Sequence, residues 1–297
     1  MEKGTTYNIK IQVKDYADNV TEKEISVETT VVVTAAEIHN VPSSYYGKTV
    51  NYQPANGINC KWRIFHSDGN NIYLITEDCI DNSYIPTKNN KVIAVGKYRV
   101  TFKDIKYEYN GAADIQTTNP AYKWTSGWVS QNPTSTTYTA KATAYLLDTQ
   151  LFNTFKDSGN KADYVIGSPT LPMFVESWNA VMDTTFYCYY GSAGYFTNEA
   201  KTSHYADPSD NDKKNSLYDL YFRTNRALEY YCNGYFIASP EGVYNTGTEL
   251  YAISYGMNRI DIASNAPTNS INGLRPVVCL NTNTKLEKQA DGTYRII

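Results

Sequence analysis

The sequence predicts an α+β fold, with two helices on twisted antiparallel strands, much irregular loop and an N-terminal β-hairpin leader. Three observations carry that expectation. Apolar and polar residues alternate through 5–34 at the period of a strand. Short strand-like runs recur after residue 48 and again toward the C-terminus, on either side of two segments with helical period. No low-complexity linker interrupts 41–297, so these strands and helices are expected to share one domain.

The leader comes first. Tyr7, Ile9, Ile11 and Val13 mark one face, Ile25, Val27 and Val31–Val33 follow, and the turn-rich stretch 14–21 joins the two arms. Three short strands are next expected at 48–52, 61–65 and 71–76. Ser67-Asp68-Gly69-Asn70 between the last two is a hairpin signal, with Asp-Gly in the turn. A further strand is expected within 92–100, and 104–140 reads as a long polar surface excursion carrying Trp124 and Trp128. Asp148 can cap a helix over Thr149–Lys156, with Leu147, Leu151 and Phe155 on one face. Thr170 precedes a second, with Pro172 in its first turn and Phe174, Trp178 and Val181 as an apolar stripe of the kind that builds cores. Strands are expected to resume near Leu217–Phe222.

The last seventy residues organise the chain. Tyr235-Phe236-Ile237-Ala238-Ser239-Pro240 and Gly273-Leu274-Arg275-Pro276-Val277-Val278-Cys279-Leu280 both read as rigid framework. Between them stand tyrosines and small polar residues, the composition of a binding surface: large amphipathic rings with few rotatable bonds, and adaptable hydrogen-bonding groups. The candidate ligand-binding residues are Tyr235, Tyr244, Asn245, Thr246, Glu249, Tyr251, Ser254, Tyr255, Asn258, Arg259, Asp261 and Asn265. Trp124, Trp128 and Tyr187–Tyr190 are expected at the rim.

With 297 residues the chain can hold one large domain plus a small appendage, here 41–297 and 1–40. A net charge of −3 without basic clusters argues against a nucleic-acid or anionic-membrane surface. No apolar run approaches the ~20 residues of a membrane span, and Met1-Glu2-Lys3-Gly4 lacks the apolar core of a secretory signal. The bias is toward Tyr, with 28 against 9 Phe, a composition common in β-proteins outside cells and on virions.

Five cysteines (Cys60, Cys79, Cys188, Cys232, Cys279) include no C-x-x-C pair, and no His stands at ligand spacing, so no zinc site or other cofactor is expected. These cysteines read as buried small hydrophobes. Asp207, Asp210 and Asp212 could form a calcium loop, yet a solvated charge run is the better reading, with Lys213 and Lys214 opposing a cation. Glu77, Asp78 and Asp261 read as solvated acids rather than a glycosidase pair. No G-x-S-x-G is present. Arg275 has two readings: reaching a ligand carboxylate, or tying loop carbonyls to the fold, of which the second is favoured.

Asp15-Tyr16-Ala17-Asp18-Asn19-Val20-Thr21 resembles the turn of a bacterial immunoglobulin-like surface repeat. That makes 1–40 the end of such a repeat, in a natural chain longer at its N-terminus; the alternative is a hairpin packed onto the main domain. Trp62-Arg63-Ile64, Ala144–Thr149, Ile166–Leu171, Ile237–Pro240 and Gly273–Leu280 together resemble C-type-lectin-like domains of the formylglycine-generating-enzyme-like branch, found in surface and prophage proteins of gut Firmicutes. The resemblance covers about 41–297 and implies a C-type-lectin-like fold. That branch includes variable proteins of diversity-generating retroelements, in which adenine-directed mutagenesis alters codons near the C-terminus. Residues 244–272 resemble such a region in position and residue type. The implied function is a non-enzymatic adhesion or receptor-binding module on a bacterial surface or phage particle. Its ligand would be a protein or carbohydrate on another cell or surface. The alternative is an enzyme of the formylglycine-generating type, which would use cysteines in its substrate groove, or a carbohydrate hydrolase. Oligomeric state stays open.

Overall fold

The computed structural model describes residues 3–85, 92–102, 107–108, 139–140, 153–184, 187–189, 203–206, 208–222, 234–242, 249–256, 259–267 and 272–297. Its first elements, β1 (Thr6–Lys14) and β2 (Val20–Glu28), pair antiparallel from Thr6↔Glu28 to Lys14↔Val20. Asp15 closes the turn, accepting from Ala17 N and Asn19 N at 2.8 and 2.9 Å and from Asn19 Nδ2 at 2.8 Å. Nearly every hairpin residue is exposed on both faces. The described hairpin thus keeps most of its surface open.

The body begins with β3 (Val32–Val33), α1 (Ala35–Asn40), α2 (Pro42–Tyr45), β4 (Thr49–Asn51), β5 (Trp62–Ser67) and β6 (Ile72–Thr76). Two small antiparallel pairs follow, β7 (Val92–Gly96) with β8 (Arg99–Phe102) and β9 (Tyr107–Glu108) with β10 (Thr139–Ala140). Then come β11 (Ala162–Ile166), α3 (Leu171–Asn179), β12 (Tyr187–Tyr189), β13 (Ser203–Ala206) and α4 (Ser216–Phe222). The chain closes with β14 (Gly234–Gly242), β15 (Glu249–Gly256), β16 (Arg259–Pro267), β17 (Val277–Leu280), β18 (Leu286–Lys288) and β19 (Tyr294–Ile296).

Two sheets dominate. The larger has the order β11-β17-β6-β5-β4-β19-β18-β3, and the smaller β12-β13-β16-β15-β14. In the larger sheet β19 runs parallel to β4, Tyr294 opposite Val50, while the other pairs are antiparallel. The expected C-type-lectin-like arrangement, two helices on antiparallel strands, is thereby corrected. The described residues contain four α-helices and an open, mixed eight-stranded sheet.

The physical reasons are local. Thr34 and Glu37 form a capping box: Thr34 Oγ1 accepts from Glu37 N, and the Glu37 carboxylate accepts from Thr34 N at 2.8 Å. That satisfies two orphan donors and starts α1 where only strand had been expected. Pro42 in the first turn of α2 forfeits no intrahelical hydrogen bond. The strand expected at Leu217–Phe222 is instead α4, whose Leu217, Leu220 and Tyr221 recur at i, i+3, i+4 and are all fully buried. Asn215 Oδ1 accepts from Leu217 N at 2.8 Å at its start.

Helix α3 follows expectation: Thr170 accepts from Met173 N, and Phe174 and Trp178 are buried. Phe174 stacks on Tyr221 of α4 with ring centroids 4.0 Å apart, and Phe65 of β5 lies 5.7 Å from the same tyrosine. These rings join the helices to the large sheet. The helix expected at Thr149–Lys156 falls largely outside the described residues, though Phe155 is buried. The excursion expected at 104–140 also lies outside them, except where β9 and β10 pair.

Candidate functional site

The five-stranded sheet collects the segment that sequence reasoning marks as a binding surface. Glu249, Tyr251, Ser254 and Tyr255 lie on β15, and Arg259, Asp261 and Asn265 on β16. Register then sorts them. Tyr187 pairs with Tyr205, Tyr205 with Asp261, Asp261 with Ser254, and Ser254 with Gly234. One cross-strand row thus runs through all five strands. The adjacent row is Cys188, His204, Ile262, Ile253 and Tyr235.

Successive rows of a pleated sheet belong to opposite faces. Burial does not tell the two faces apart at this end, since Tyr235, Phe236 and Ile237 at consecutive positions of β14 are all fully buried and Ile253 on β15 is buried as well. Tyr255, two positions from Ile253, shares its alternation and not that of Ser254 and Asp261. Tyr251 falls where the β15–β16 register shifts between Leu250 and Ala252, so simple alternation does not place it. Tyr235, counted among the ligand-binding residues from sequence, is fully buried and belongs to the support. Tyr244, Asn245, Thr246 and Asn258, with Trp124, Trp128 and Tyr190, lie outside the described residues. Sequence reasoning missed Tyr205, because its place beside Asp261 follows from pairing between strands more than fifty residues apart.

The support for this sheet is dense. Gly273 N donates to Gly234 O and Phe236 N to Gly273 O, both at 3.0 Å, so the segment leading into β17 is strapped to β14. A Cβ at Gly234 would stand 2.2 Å from the Ile253 carbonyl oxygen, which only glycine avoids. Arg275 is buried beside this strap. Its Nε and Nη2 donate to Thr76 O at 3.1 and 2.6 Å, Nη2 also to Glu77 O at 3.1 Å, and Nη1 to Leu220 O at 2.8 Å. The guanidinium carbon lies 4.9 Å from the centroid of the Tyr235 ring. Its role in this geometry is to tie carbonyls to the fold.

Several chemical readings change on contact with the structure. Asp212 is not a solvated acid: it is buried, and its carboxylate accepts from Asp183 N at 2.7 Å, Thr184 Oγ1 at 2.7 Å and Ser209 N at 2.8 Å. Burial pushes its pKa up, but these hydrogen bonds prevail and hold it below the ordinary aspartate value. Glu77 is likewise buried, 2.5 Å from Arg63 Nη2. Cys79 is disulfide-bonded, whereas Cys60 and Cys279 are free thiols that burial pushes up to about 12. A Ser-His-acid set does come together: His66 Nδ1 is 2.9 Å from Ser177 Oγ, and His66 Nε2 3.6 Å from Glu176 Oε2. Ser177 is fully buried on α3, and its contact with His66 joins that helix to β5. Among the described residues no group of three or more His, Cys, Asp or Glu side chains is placed to hold a metal ion. No described helix is long and apolar enough to cross a membrane.

Comparison with known proteins finds no matching family model, no matching curated protein and no matching solved structure.

Proposed function

We propose that this chain is a non-enzymatic binding module displayed on a bacterial surface or phage particle, engaging a protein or carbohydrate ligand on another cell or surface. The observation that carries this reading is the row Tyr187–Tyr205–Asp261–Ser254 across the five-stranded sheet. These four residues occupy paired register positions, and residues of these types combine aromatic contact area with hydrogen-bonding groups. Paired strands also hold such residues in more fixed positions than a loop would. The disulfide at Cys79 supports placement in an oxidising compartment, where such bonds persist. Against the thiol-enzyme alternative stands Cys279, whose sulfur is buried and raised in pKa, the opposite of an activated nucleophile. Diversification of 244–272 by a retroelement belongs to the same proposal; a reverse-transcriptase gene beside a near-repeat of the C-terminal coding segment would support it.

The test is binding of the labelled chain to intact bacterial cells and to glycan-coated surfaces, beside a Tyr205→Ser/Asp261→Ala variant. The expected result is a loss of affinity of about tenfold or more at an unchanged melting temperature. Unaltered binding by the double variant would remove the row from the site, and absence of binding to both panels would count against an adhesive role.

A further inference from the structure

Arg275 sits where three parts of the molecule meet. Its carbonyl partners Thr76 and Glu77 stand at the end of β6 in the eight-stranded sheet. Its third partner, Leu220, is in the last turn of α4, where helix carbonyls lack partners within the helix and a cation is favoured. The Tyr235 ring against its guanidinium belongs to β14, the edge of the five-stranded sheet. Arg275 also lies inside the four-residue strap between the sheets. Gly273, at one end, is hydrogen-bonded to β14, while Pro276 O, at the other, accepts from Thr76 N at 3.2 Å.

We infer that Arg275 is a positioning residue for the binding face: it locks the Gly273–Pro276 strap and so fixes the five-stranded sheet against the core. The inference rests on the proposal that this sheet carries the ligand contacts. The chemistry explains why arginine serves. A planar guanidinium can donate to carbonyls on two sides within its plane while an aromatic ring packs on its face. Lysine has one nitrogen and no plane, so it cannot hold β6, α4 and β14 together. Trp62, Phe65, Leu74 and Val278 of the large sheet are fully buried, in a hydrophobic cluster that also includes Tyr235, Phe236, Ile237 and Ile253 of the smaller one. β14 joins that cluster through Tyr235, Phe236 and Ile237, and Arg275 with the strap adds a polar tie at its start.

Hydrogen exchange of the full chain, read separately for the two sheets, tests this without any ligand. A failure here is thus distinguishable from a failure of the binding reading. Tyr235→Leu removes the ring from the guanidinium but leaves its carbonyl partners, and Arg275→Lys removes the fork. Each is expected to speed exchange in β15 and β16 by about tenfold or more while β5 and β6 change less than about twofold. Tyr235→Phe, which keeps the ring, is expected to restore the slow exchange of β15 and β16. Equal acceleration in both sheets would make Arg275 an ordinary core residue, and no acceleration in β15 and β16 would overturn the coupling. Should Arg275→Lys fail to fold, Tyr235→Leu and its Phe rescue decide the matter alone.

Discussion

Two hairpins in this chain are built from similar parts and end in opposite environments. β1–β2 and β5–β6 are both antiparallel, and both turn on an aspartate that accepts backbone N–H groups. Asp15 takes Ala17 N and Asn19 N; Asp68 takes Asn70 N and Asn71 N at 2.9 and 2.8 Å. Yet β1–β2 stands exposed, with Ile11 46% and Val13 63% accessible, while every residue of β6 is buried. The difference lies in the strands rather than the turns. β1 alternates apolar and polar positions, the pattern of a strand meant to cover one face. β6, Ile-Tyr-Leu-Ile-Thr, is apolar at nearly every position, the pattern of a strand covered on both. Turn chemistry chooses a hairpin, and periodicity chooses its depth.

The largest effect that would break this contrast belongs to the buried hairpin. Trp62 begins β5, is fully buried and packs edge-on to Tyr52 at 5.0 Å between ring centroids. Trp62→Ala is expected to cost about 3–5 kcal/mol in urea unfolding through the cavity it leaves. A cost under about 1 kcal/mol would mean the deep hairpin is no more essential than the exposed one.

Next come the carboxylates, which divide along the same line. Asp15 and Asp212 are both held below the ordinary aspartate value, Asp15 chiefly by the Asn19 side chain and backbone, Asp212 by its hydroxyl and backbone donors against the pull of burial. A carboxyl whose folded pKa is depressed adds stability above its unfolded pKa and loses it as pH falls through the folded one. Asp212→Asn is therefore expected to lower stability by about 2 kcal/mol at pH 7. That gap should close as pH falls below about 4. Asp15→Asn should leave the unfolding of the body unchanged at every pH. A pH-independent gap for Asp212 would show that its geometry matters and its charge does not.

Asp68 sharpens the contrast further. Besides its turn, it accepts from Tyr73 Oη at 2.8 Å, and Tyr164 Oη in turn lies 3.3 Å from Tyr73 Oη, linking the hairpin to β11. Asp68→Ala is expected to cost about 1–2 kcal/mol, against no change in the body's midpoint for Asp15→Ala. Equal effects from the two aspartates would show that turn closure alone matters.

How much of this was legible in sequence follows from how local each signal is. Both hairpins could be read, because an Asp-led turn between strand-like runs is contained within twenty-odd residues. Helix α3 was legible from Thr170, Pro172 and its stripe. The start of α1 was written in Thr34 and Glu37 but overlooked beside the valine run that precedes it. α4 was misread because seven residues rich in Leu, Tyr and Phe suit a strand as well as a helix, and its partners Phe174 and Phe65 lie far away in sequence. The order of the large sheet was not legible at all: β3, β18 and β19 have two or three residues each, and β19 returns beside β4 from the other end of the chain. For the candidate site the segment was readable and the face was not. Which of Tyr251, Ser254 and Tyr255 share a side depends on register and on the irregularity after Leu250, and neither is set by composition.

The smallest expected effect is also the sharpest test of the contrast. Deleting residues 1–29 removes β1, β2 and their turn together with Lys3, whose Nζ reaches Glu37 in an exposed pair. Such surface pairs contribute between nothing and about 1 kcal/mol. The capping box between Thr34 and Glu37 survives the deletion, as does β3, which pairs with β18 through Val33↔Leu286. Since nearly every hairpin residue is exposed, its loss is expected to uncover little apolar surface, and the melting midpoint should stay within about 2 °C of the full chain. Limited proteolysis gives the complementary reading, because a two-stranded hairpin is at best marginally stable alone. Cleavage is expected first within 5–28 of the full chain, leaving a resistant body. A drop of many degrees on deletion, or a hairpin as resistant as β5–β6, would show that β1–β2 is part of the folded core after all.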